Sequence, residues 1–257
     1  MFGRRLLVLL APLAFAITSA CTVAPEGREG FAATDPYESF NRTVLKNNIR
    51  IDRYFLRPTA IAYDTVTPET VQHVVTNGLS HLGLATDFAN YVLQGDVDGS
   101  LHTLGRFTLN TILGAGGLLN PADEFGLPRK PTDFGLTLAS YGVDEGPYLV
   151  LPLLGPSTAR DFGGFIVDRA LSPTAYLGFV TSADGIGPGL TFLGFVEARD
   201  RNMAIIDSVL YESEDPYVTL RAAYLQRRRA AAAGEDDPGA RLPDIFEDTD
   251  EPATPSN

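Results

Sequence analysis

Apolar residues recur at three- to four-residue spacing along most of the chain, a pattern that predicts amphipathic helices. The first predicted helix carries one apolar face, formed by Phe40, Val44, Ile51 and Phe55. Asp35, with Pro36 after it and Glu38 three positions on, predicts the N-terminal cap of this helix. Arg57 and Pro58 predict its end, because the residue before a proline disfavours the helical conformation.

Four more helices are predicted downstream, and the fold class is therefore mainly α. A long second helix starts at Thr70 and contains two glycines, at 78 and 83, that predict a weak point or kink. The third opens at Asp98, and the fourth covers about residues 195–210. The fifth starts at Asp215 with its following proline and ends at the arginines 227–229. Tyr148 to Leu154 is the best candidate for a strand.

Three apolar segments rich in glycine and proline interrupt the helical pattern, at about residues 112–119, 148–155 and 176–196. None of them can form a straight membrane-spanning helix, which needs roughly 20 apolar residues without such breaks. Three interpretations stay open for each segment: a buried loop, a short helix pair, or a segment that lies in the lipid interface.

The N-terminus has the layout of a bacterial lipoprotein signal. Arg4 and Arg5 precede an apolar stretch from Leu6 to Ile17, and small residues follow up to Cys21. Twelve apolar residues are too few to span a bilayer but suit the core of a signal peptide. We therefore predict a signal peptide over 1–20, lipidation of Cys21 and, since Thr22 is not aspartate, anchoring at the periplasmic face of the outer membrane. The alternative is an ordinary secretory leader.

Composition limits the remaining possibilities. The formal net charge is −12, and a single cysteine allows no intramolecular disulfide. Residues 21–34 are predicted to form a flexible tether, 35–229 a helical body, and 230–257 an acidic disordered tail. So acidic a chain has no basic footprint of the kind that binding to nucleic acid requires.

Several patterns that resemble catalytic or metal sites fail on spacing. The segment from Gly78 to Gly83 contains Ser80, but its second glycine comes one position late for a nucleophile elbow. Asp96 to Gly99 resembles part of a calcium loop, yet Gly105 stands where the bidentate glutamate should be. The three histidines, His73, His81 and His102, match no zinc motif. No catalytic residues, metal or cofactor are expected, and the chain is predicted not to be an enzyme.

Interfacial side chains give a stronger signal. Ten tyrosines and fifteen phenylalanines can form an aromatic belt at a membrane surface. Four cations beside loops, Arg57, Arg129, Lys130 and Arg160, are predicted to contact lipid phosphate groups. Surface ion pairs are the alternative for each of them.

Short motifs follow one another in a fixed order from Asp35 to Arg229. The motifs are DPYESFNR at 35–42, RP at 57–58, NGL at 77–79, NYVLQGD at 90–96, RFTLNTILG at 106–114, FG at 134–135, YGV at 141–143, GPY at 146–148, RD at 160–161 and DPY at 215–217. Together they resemble the MlaA (VacJ-type) phospholipid-transport outer-membrane lipoproteins.

That resemblance implies a ring-like bundle of amphipathic helices, seated in the inner leaflet of the outer membrane around a polar channel. It implies that the chain removes mislocalised phospholipids from the outer leaflet and passes them to a periplasmic carrier protein. It also implies association with a trimeric porin. Two other functions remain open: a structural lipoprotein that braces porins without moving lipid, and a lipid hydrolase.

Six residues are predicted to serve the channel. Gly114, Gly116 and Gly117 permit close backbone approach or a hinge that controls lipid passage. The other three, Asn41, Arg42 and Asn110, give the channel its polarity or form hydrogen bonds between helices. For Arg42 the second role, pairing with a carboxylate, is favoured.

Overall fold

The computed structural model describes residues 35–174 and 186–234. The signal peptide predicted over 1–20, Cys21 and the tether over 21–34 lie outside the described residues. So does the tail from residue 235 onward. The assignments made for these segments stay predictions.

A continuous helical segment opens the fold. Helix α1 spans Glu38–Ile51, a π-helical turn spans Asp52–Leu56, and α2 spans Arg57–Val66. The predicted end at Pro58 is wrong. The backbone N–H of Arg57 bonds the carbonyl of Asp52, a wider turn that carries the helix past a proline lacking an N–H donor.

The predicted cap of α1 is also wrong. The helix begins three residues after Asp35, with Tyr37 in the cap position and no side-chain cap hydrogen bond. Pro36 and Tyr37 form a turn ahead of the helix instead of its first turn. The first backbone bond runs from the N–H of Asn41 to the carbonyl of Tyr37.

Two long helices form an α-helical hairpin. Helix α3 spans Glu69–Gln94 without a break at either internal glycine, and α4 spans Val97–Ile112. Gly95 ends α3 with a φ of 71°, a left-handed conformation that favours glycine. The side chain of Asp96 accepts the N–H of Gly99 and so caps α4, two residues before the predicted start at Asp98.

The middle of the chain holds shorter elements. They are α5 (Pro121–Glu124), α6 (Phe134–Ser140), β1 (Tyr148–Leu151), β2 (Gly155–Thr158) and α7 (Ala159–Leu171). The predicted strand is confirmed over four residues, and it pairs with β2 as an antiparallel hairpin. Helices α6 and α7 were not predicted. The apolar segment at 112–119 ends α4 in a turn, and the segment at 148–155 forms the hairpin.

The C-terminal part is helical. It comprises α8 (Ile186–Arg201), α9 (Met203–Asp207), a second π-helical turn (Ser208–Glu212) and α10 (Pro216–Ala232). The helix predicted over 195–210 therefore starts earlier and breaks at Asn202. The cap at Asp215 is confirmed, since its carboxylate accepts the N–H groups of Tyr217 and Val218. Helix α10 continues through Ala232, so the first residues assigned to the tail are helical.

The interior of this mainly α fold contains few apolar residues. One apolar cluster joins α1, β1 and α10: Val44, Leu45, Tyr148, Val150, Tyr217 and Leu225. Elsewhere in the described ranges, polar and charged side chains outnumber apolar ones among the buried residues, whereas many large apolar side chains are exposed. No helix of the described residues is both long enough and apolar enough to cross a membrane.

Candidate functional site

The outer side of α4 is apolar and exposed. Spacings of three, four or five residues place its exposed apolar side chains along one side of the helix: Val97, Leu101, Leu104, Phe107 and Ile112. Ile112 is 72% exposed and Leu101 62%. Phe88, Val92 and Leu93 of α3 add to this surface, which we call the α3–α4 apolar surface. Exposed apolar side chains grouped on one face of a helix are typical of a surface that contacts lipid or another protein.

The inner side of α4 is polar and buried. Arg106 donates to the carboxylate of Asp123, to the carbonyl of Leu127 and, at 2.9 Å, to the side-chain oxygen of Asn120. Asn110 donates to that same oxygen at 3.0 Å and accepts the N–H of Ala122 at 3.0 Å. The helix therefore presents hydrogen-bonded polar groups inward and apolar groups outward.

A tight turn over residues 114–117, the glycine turn, ends α4. Gly116 and Gly117 have φ values of 75° and 91°, and Ala115 between the glycines has 53°. A Cβ atom on Gly117 would lie 2.2 Å from the ring of His81, and one on Gly114 would lie 2.4 Å from the carbonyl of Asn110. A Cβ atom on Gly116 would meet nothing within 4 Å. Gly114 and Gly117 have no room for a side chain, because neighbouring atoms approach them closely. Gly116 has room, and only its positive φ favours glycine there.

His81 is the side chain against which the glycine turn packs. Its ring stacks on Phe107 with centroids 4.7 Å apart, and its Nε2 lies 3.3 Å from the hydroxyl of Thr111. Burial lowers the pKa of His81, and the positive charge of Arg106 lowers it further. A neutral ring thus fills the space between α3, α4 and the turn. The sequence gives no sign of this role, because a single histidine at a helical position belongs to no motif of fixed spacing.

Asn41 and Arg42 hold α1 to the rest of the fold. The amide of Asn41 donates to the carbonyl of Tyr148 at 3.0 Å and accepts the N–H of Val150 at 2.9 Å. Arg42 makes two parallel bonds to Asp215, at 3.0 and 2.9 Å. Asn41, Arg42 and Asn110 thus all form hydrogen bonds between elements, although these two bonds of Asn41 go to the strand β1 and not to a helix. Channel lining by them remains a prediction.

Three of the four cations predicted at headgroups have carboxylate partners. Arg57 pairs with Asp207 at 2.8 Å, Arg129 with Asp87 at 3.0 Å, and Arg160 with Asp161 at 3.2 Å. The ion pair left open as an alternative is therefore present at each of these three positions. The side chain of Lys130 is exposed. Headgroup contact by these residues remains a prediction.

One buried ionic cluster connects the two π-helical turns. Arg199 donates to Asp52 at 2.8 Å and also pairs with Asp207. Tyr211 donates its hydroxyl to Asp52 at 2.5 Å. Burial, together with the Asp52 carboxylate, raises the pKa of Tyr211 to about 12. Each π turn supplies one member of the cluster, Asp52 from the first and Tyr211 from the second.

A second cluster fixes α10 against α6 and α7. Arg228 donates to Asp133 at 2.6 Å and to Asp161 at 2.8 Å, while Tyr224 donates to Asp161 at 2.7 Å. Burial alone would raise the pKa of Asp161, but the bonds from Arg228 and Tyr224 outweigh it and hold that pKa below its usual value. Neither cluster can be recognised in the sequence, because its partners lie far apart along the chain.

Known proteins are similar to this chain in sequence and in fold. The family model described as "MlaA lipoprotein" matches residues 33–231. A Shigella flexneri protein named "Intermembrane phospholipid transport system lipoprotein MlaA" is 36% identical over 251 residues, which cover 94% of this chain and 98% of that protein. An uncharacterised protein of Rickettsia felis is 38% identical over 198 residues, 77% of each chain.

A solved structure described as the "Structural basis for maintenance of bacterial outer membrane lipid asymmetry" has the same fold. It superposes with a TM-score of 0.67 at 35% identity and covers 77% of this chain and 99% of its own. The family model spans most of the chain, and the Shigella relative matches it nearly from end to end. This chain therefore belongs to the MlaA lipoprotein family.

Proposed function

We propose that this chain is an outer-membrane lipoprotein that removes mislocalised phospholipids from the outer leaflet and passes them to a periplasmic lipid carrier. In this way it maintains the lipid asymmetry of the outer membrane. The observation that carries the proposal is the distribution of polarity: apolar side chains are exposed on the helices, and hydrogen-bonded polar side chains are buried. Family membership supports the same function.

A single-leaflet position follows from that distribution. The α3–α4 apolar surface lies against acyl chains, and the helices satisfy their own backbone groups, as lipid requires. Inside the bundle, polar groups line a route for a charged headgroup, whose transfer through an apolar medium would be costly. The acyl tails remain in lipid while the headgroup passes. In this proposal the body forms a ring in the inner leaflet and needs no spanning helix.

The glycine turn controls the passage. It connects the lipid-facing α4 to the polar segment of α5, and its conformation depends on Gly117 packing directly on His81. Three consecutive residues of the turn, 115–117, have positive φ values. Because two of them are glycine, their backbone angles can change at a smaller cost in free energy. We therefore place the hinge at residues 114–117.

Membrane attachment uses two signals. Acyl chains on Cys21 anchor the N-terminus, and the apolar surface of the body adds a second contact. One acyl chain alone gives only weak, reversible binding, so stable anchoring takes more than one contact. The periplasmic carrier and a trimeric porin are the protein partners in this proposal, and the chain acts by binding and release without enzymatic chemistry.

The test compares cells that lack the protein with complemented cells. If the proposal is right, loss of the protein exposes phospholipid in the outer leaflet, and the wild-type chain reverses this. Intact asymmetry with altered porin assembly would instead support the bracing function. Cleavage of phospholipid by the purified chain would support a hydrolase. A control variant is Glu124→Gln, which changes an exposed carboxylate outside the glycine turn and should complement.

A further inference from the structure

Three cations form a row along the outer side of α1 and the turn after it. Lys46, Arg50 and Arg53 follow at spacings of four and three residues, so they share one side of the helix and span about 10 Å. All three side chains are exposed. Within residues 35–174 and 186–234, no carboxylate forms an ion pair with any of them. We call these three residues the α1 basic row.

Such a row is unexpected in this chain. Acidic residues outnumber basic ones by 32 to 20, and most arginines of the described ranges pair with carboxylates. Lys130 and Arg227 are also exposed without an ion pair to a described residue, but each lies singly on another segment. Ion pairing within the body therefore does not explain why three neighbouring cations lie on one side of a helix.

An exposed apolar strip runs beside the basic row. Phe40, Ile51 and Tyr54 lie about a quarter-turn to a third of a turn around the helix from the cations, and Tyr54 is 78% exposed. The opposite side of α1 is buried through Asn41, Val44, Leu45 and Asp52. The outward half of α1 thus has one apolar strip and one cationic strip. Helices at the headgroup level have this form, because the long cations reach phosphate while the apolar strip contacts acyl chains.

The two ends of the row have local structure suited to an anion. The guanidinium of Arg53 lies 5.0 Å above the ring of Tyr211, which fixes its plane and leaves the N–H edge open. At the other end Lys46 borders an open cavity of about 470 Å³, lined also by Glu38, Ser39, Arg42 and Thr43. Arg42 is taken up by ion pairs with Glu38 and Asp215, at 2.7 and 2.9 Å, whereas Lys46 forms no ion pair with a described residue and can reach an anion in this cavity.

We propose that the α1 basic row binds the phosphate groups of net-anionic phospholipids, so that the chain takes these lipids in preference to zwitterionic ones. This inference rests on the proposed function and adds a substrate class to it. A free phosphate ion shares the same chemistry, and the experiment below separates it from a lipid headgroup.

The test measures which lipid the full lipidated protein retains. Protein is equilibrated in nonionic-detergent micelles that hold equal amounts of phosphatidylglycerol and phosphatidylethanolamine, and bound lipid is quantified by mass spectrometry. We expect phosphatidylglycerol to be enriched at least about fivefold, the effect of one cation near an anionic lipid surface. Combined Lys46→Gln, Arg50→Gln and Arg53→Gln substitutions should remove the enrichment and leave phosphatidylethanolamine binding unchanged.

Two control variants are measured beside the glutamine variant. Charge-retaining exchange (Lys46→Arg, Arg50→Lys, Arg53→Lys) should keep the enrichment, and Arg227→Gln, which removes an exposed cation from α10, should also keep it. Circular dichroism checks that every variant is folded.

The remaining outcomes of this experiment also decide whether the inference holds. Equal retention of both lipids by the wild type, or unchanged enrichment in the glutamine variant, overturns the inference and leaves the proposed function standing. Retention of neither lipid contradicts the proposed function itself. Loss of both lipids equally in the glutamine variant overturns the inference, because the row would then support lipid retention or folding without distinguishing the two headgroups. If the wild type binds inorganic phosphate through the row but shows no lipid enrichment, the row takes a free anion and the inference is wrong.

Discussion

Single polar residues carry much of the cohesion in this fold. Asn41 uses both ends of its amide to hold β1, and Asn110 does the same for the segment around Asn120 and Ala122. A buried polar group left without its partner costs more than the bond itself contributes. Since few apolar side chains are buried, such residues replace packing contacts that a soluble domain would use.

At the residue scale, Gly117→Ala should impair lipid transfer far more than Gly116→Ala. Both substitutions place a Cβ on a left-handed residue, at about 1 kcal/mol each. Only the Cβ at 117 meets His81, at 2.2 Å, so the glycine turn must move away from α3. Phospholipid transfer from vesicles measures the effect, with flotation as the check on membrane attachment. Transfer at the wild-type rate by the Gly117→Ala variant would show that the turn is no hinge.

The pKa of Asp161 predicts how stability changes in acid. Its folded pKa lies below the unfolded value of about 3.9, so its contribution is complete above that value and is lost as pH falls through the folded pKa. Asp161→Asn should cost about 3 kcal/mol at neutral pH, because Arg228 loses a buried charge partner. Thermal unfolding in detergent from pH 7 to pH 3 checks this.

The control for that series is Glu124→Gln, an exposed carboxylate on α5. It should leave both the neutral-pH stability and its acid dependence nearly unchanged. If Asp161→Asn behaved like Glu124→Gln at every pH, the Arg228 cluster would not stabilise the fold.

At the scale of elements, local signals predicted helix existence better than helix ends. The cap at Asp215 and the strand at Tyr148 depend on neighbouring residues, and both are confirmed. The helix end at Pro58 was predicted wrongly because the π turn before it depends on a distant partner, Arg199, bonded to Asp52. Helix α6 was missed because it has only 7 residues, and α7 was missed because it contains two adjacent glycines. The caps at Asp133 and Thr158 were their available signal.

Asp215 has two separable roles at the start of α10. It caps the helix and it pairs with Arg42 of α1. Asp215→Asn keeps a capping side chain and loses the ion pair, so it should cost less than about 1 kcal/mol. Asp215→Ala loses both and should cost about 1 kcal/mol more. Unfolding midpoints in detergent compare the two. Identical losses would mean that the cap contributes nothing.

The α3–α4 apolar surface predicts membrane affinity that does not depend on lipidation. In a Cys21→Ser background, Leu101→Glu should weaken vesicle binding about thirtyfold, because a carboxylate in acyl chains costs about 2 kcal/mol or more. The matched variant Thr219→Glu adds the same charge at an exposed polar position of α10 and should bind normally. A Cys21→Ser chain that is fully soluble and monodisperse without detergent would refute an embedded body.

At the scale of the whole molecule, the amino-acid composition does not reveal that apolar side chains are exposed and polar ones buried. The mean hydropathy of +0.02 is ordinary, and no helix of the described residues is long and apolar enough to cross a membrane. What differs is where the apolar residues lie, and only the fold determines that. The sequence motifs pointed to Asn41, Arg42 and Asn110 as site residues. Their partners could not be predicted, because Asp215 lies 173 positions from Arg42.

The most direct test of the central claim uses the purified lipoprotein in donor vesicles. Labelled phospholipid and a soluble periplasmic carrier are supplied, and intact lipid on the carrier is measured with time. The account predicts that lipid appears on the carrier faster than from protein-free vesicles and that no lipid is cleaved. Transfer at the protein-free rate, with the protein folded and membrane-bound, would contradict it.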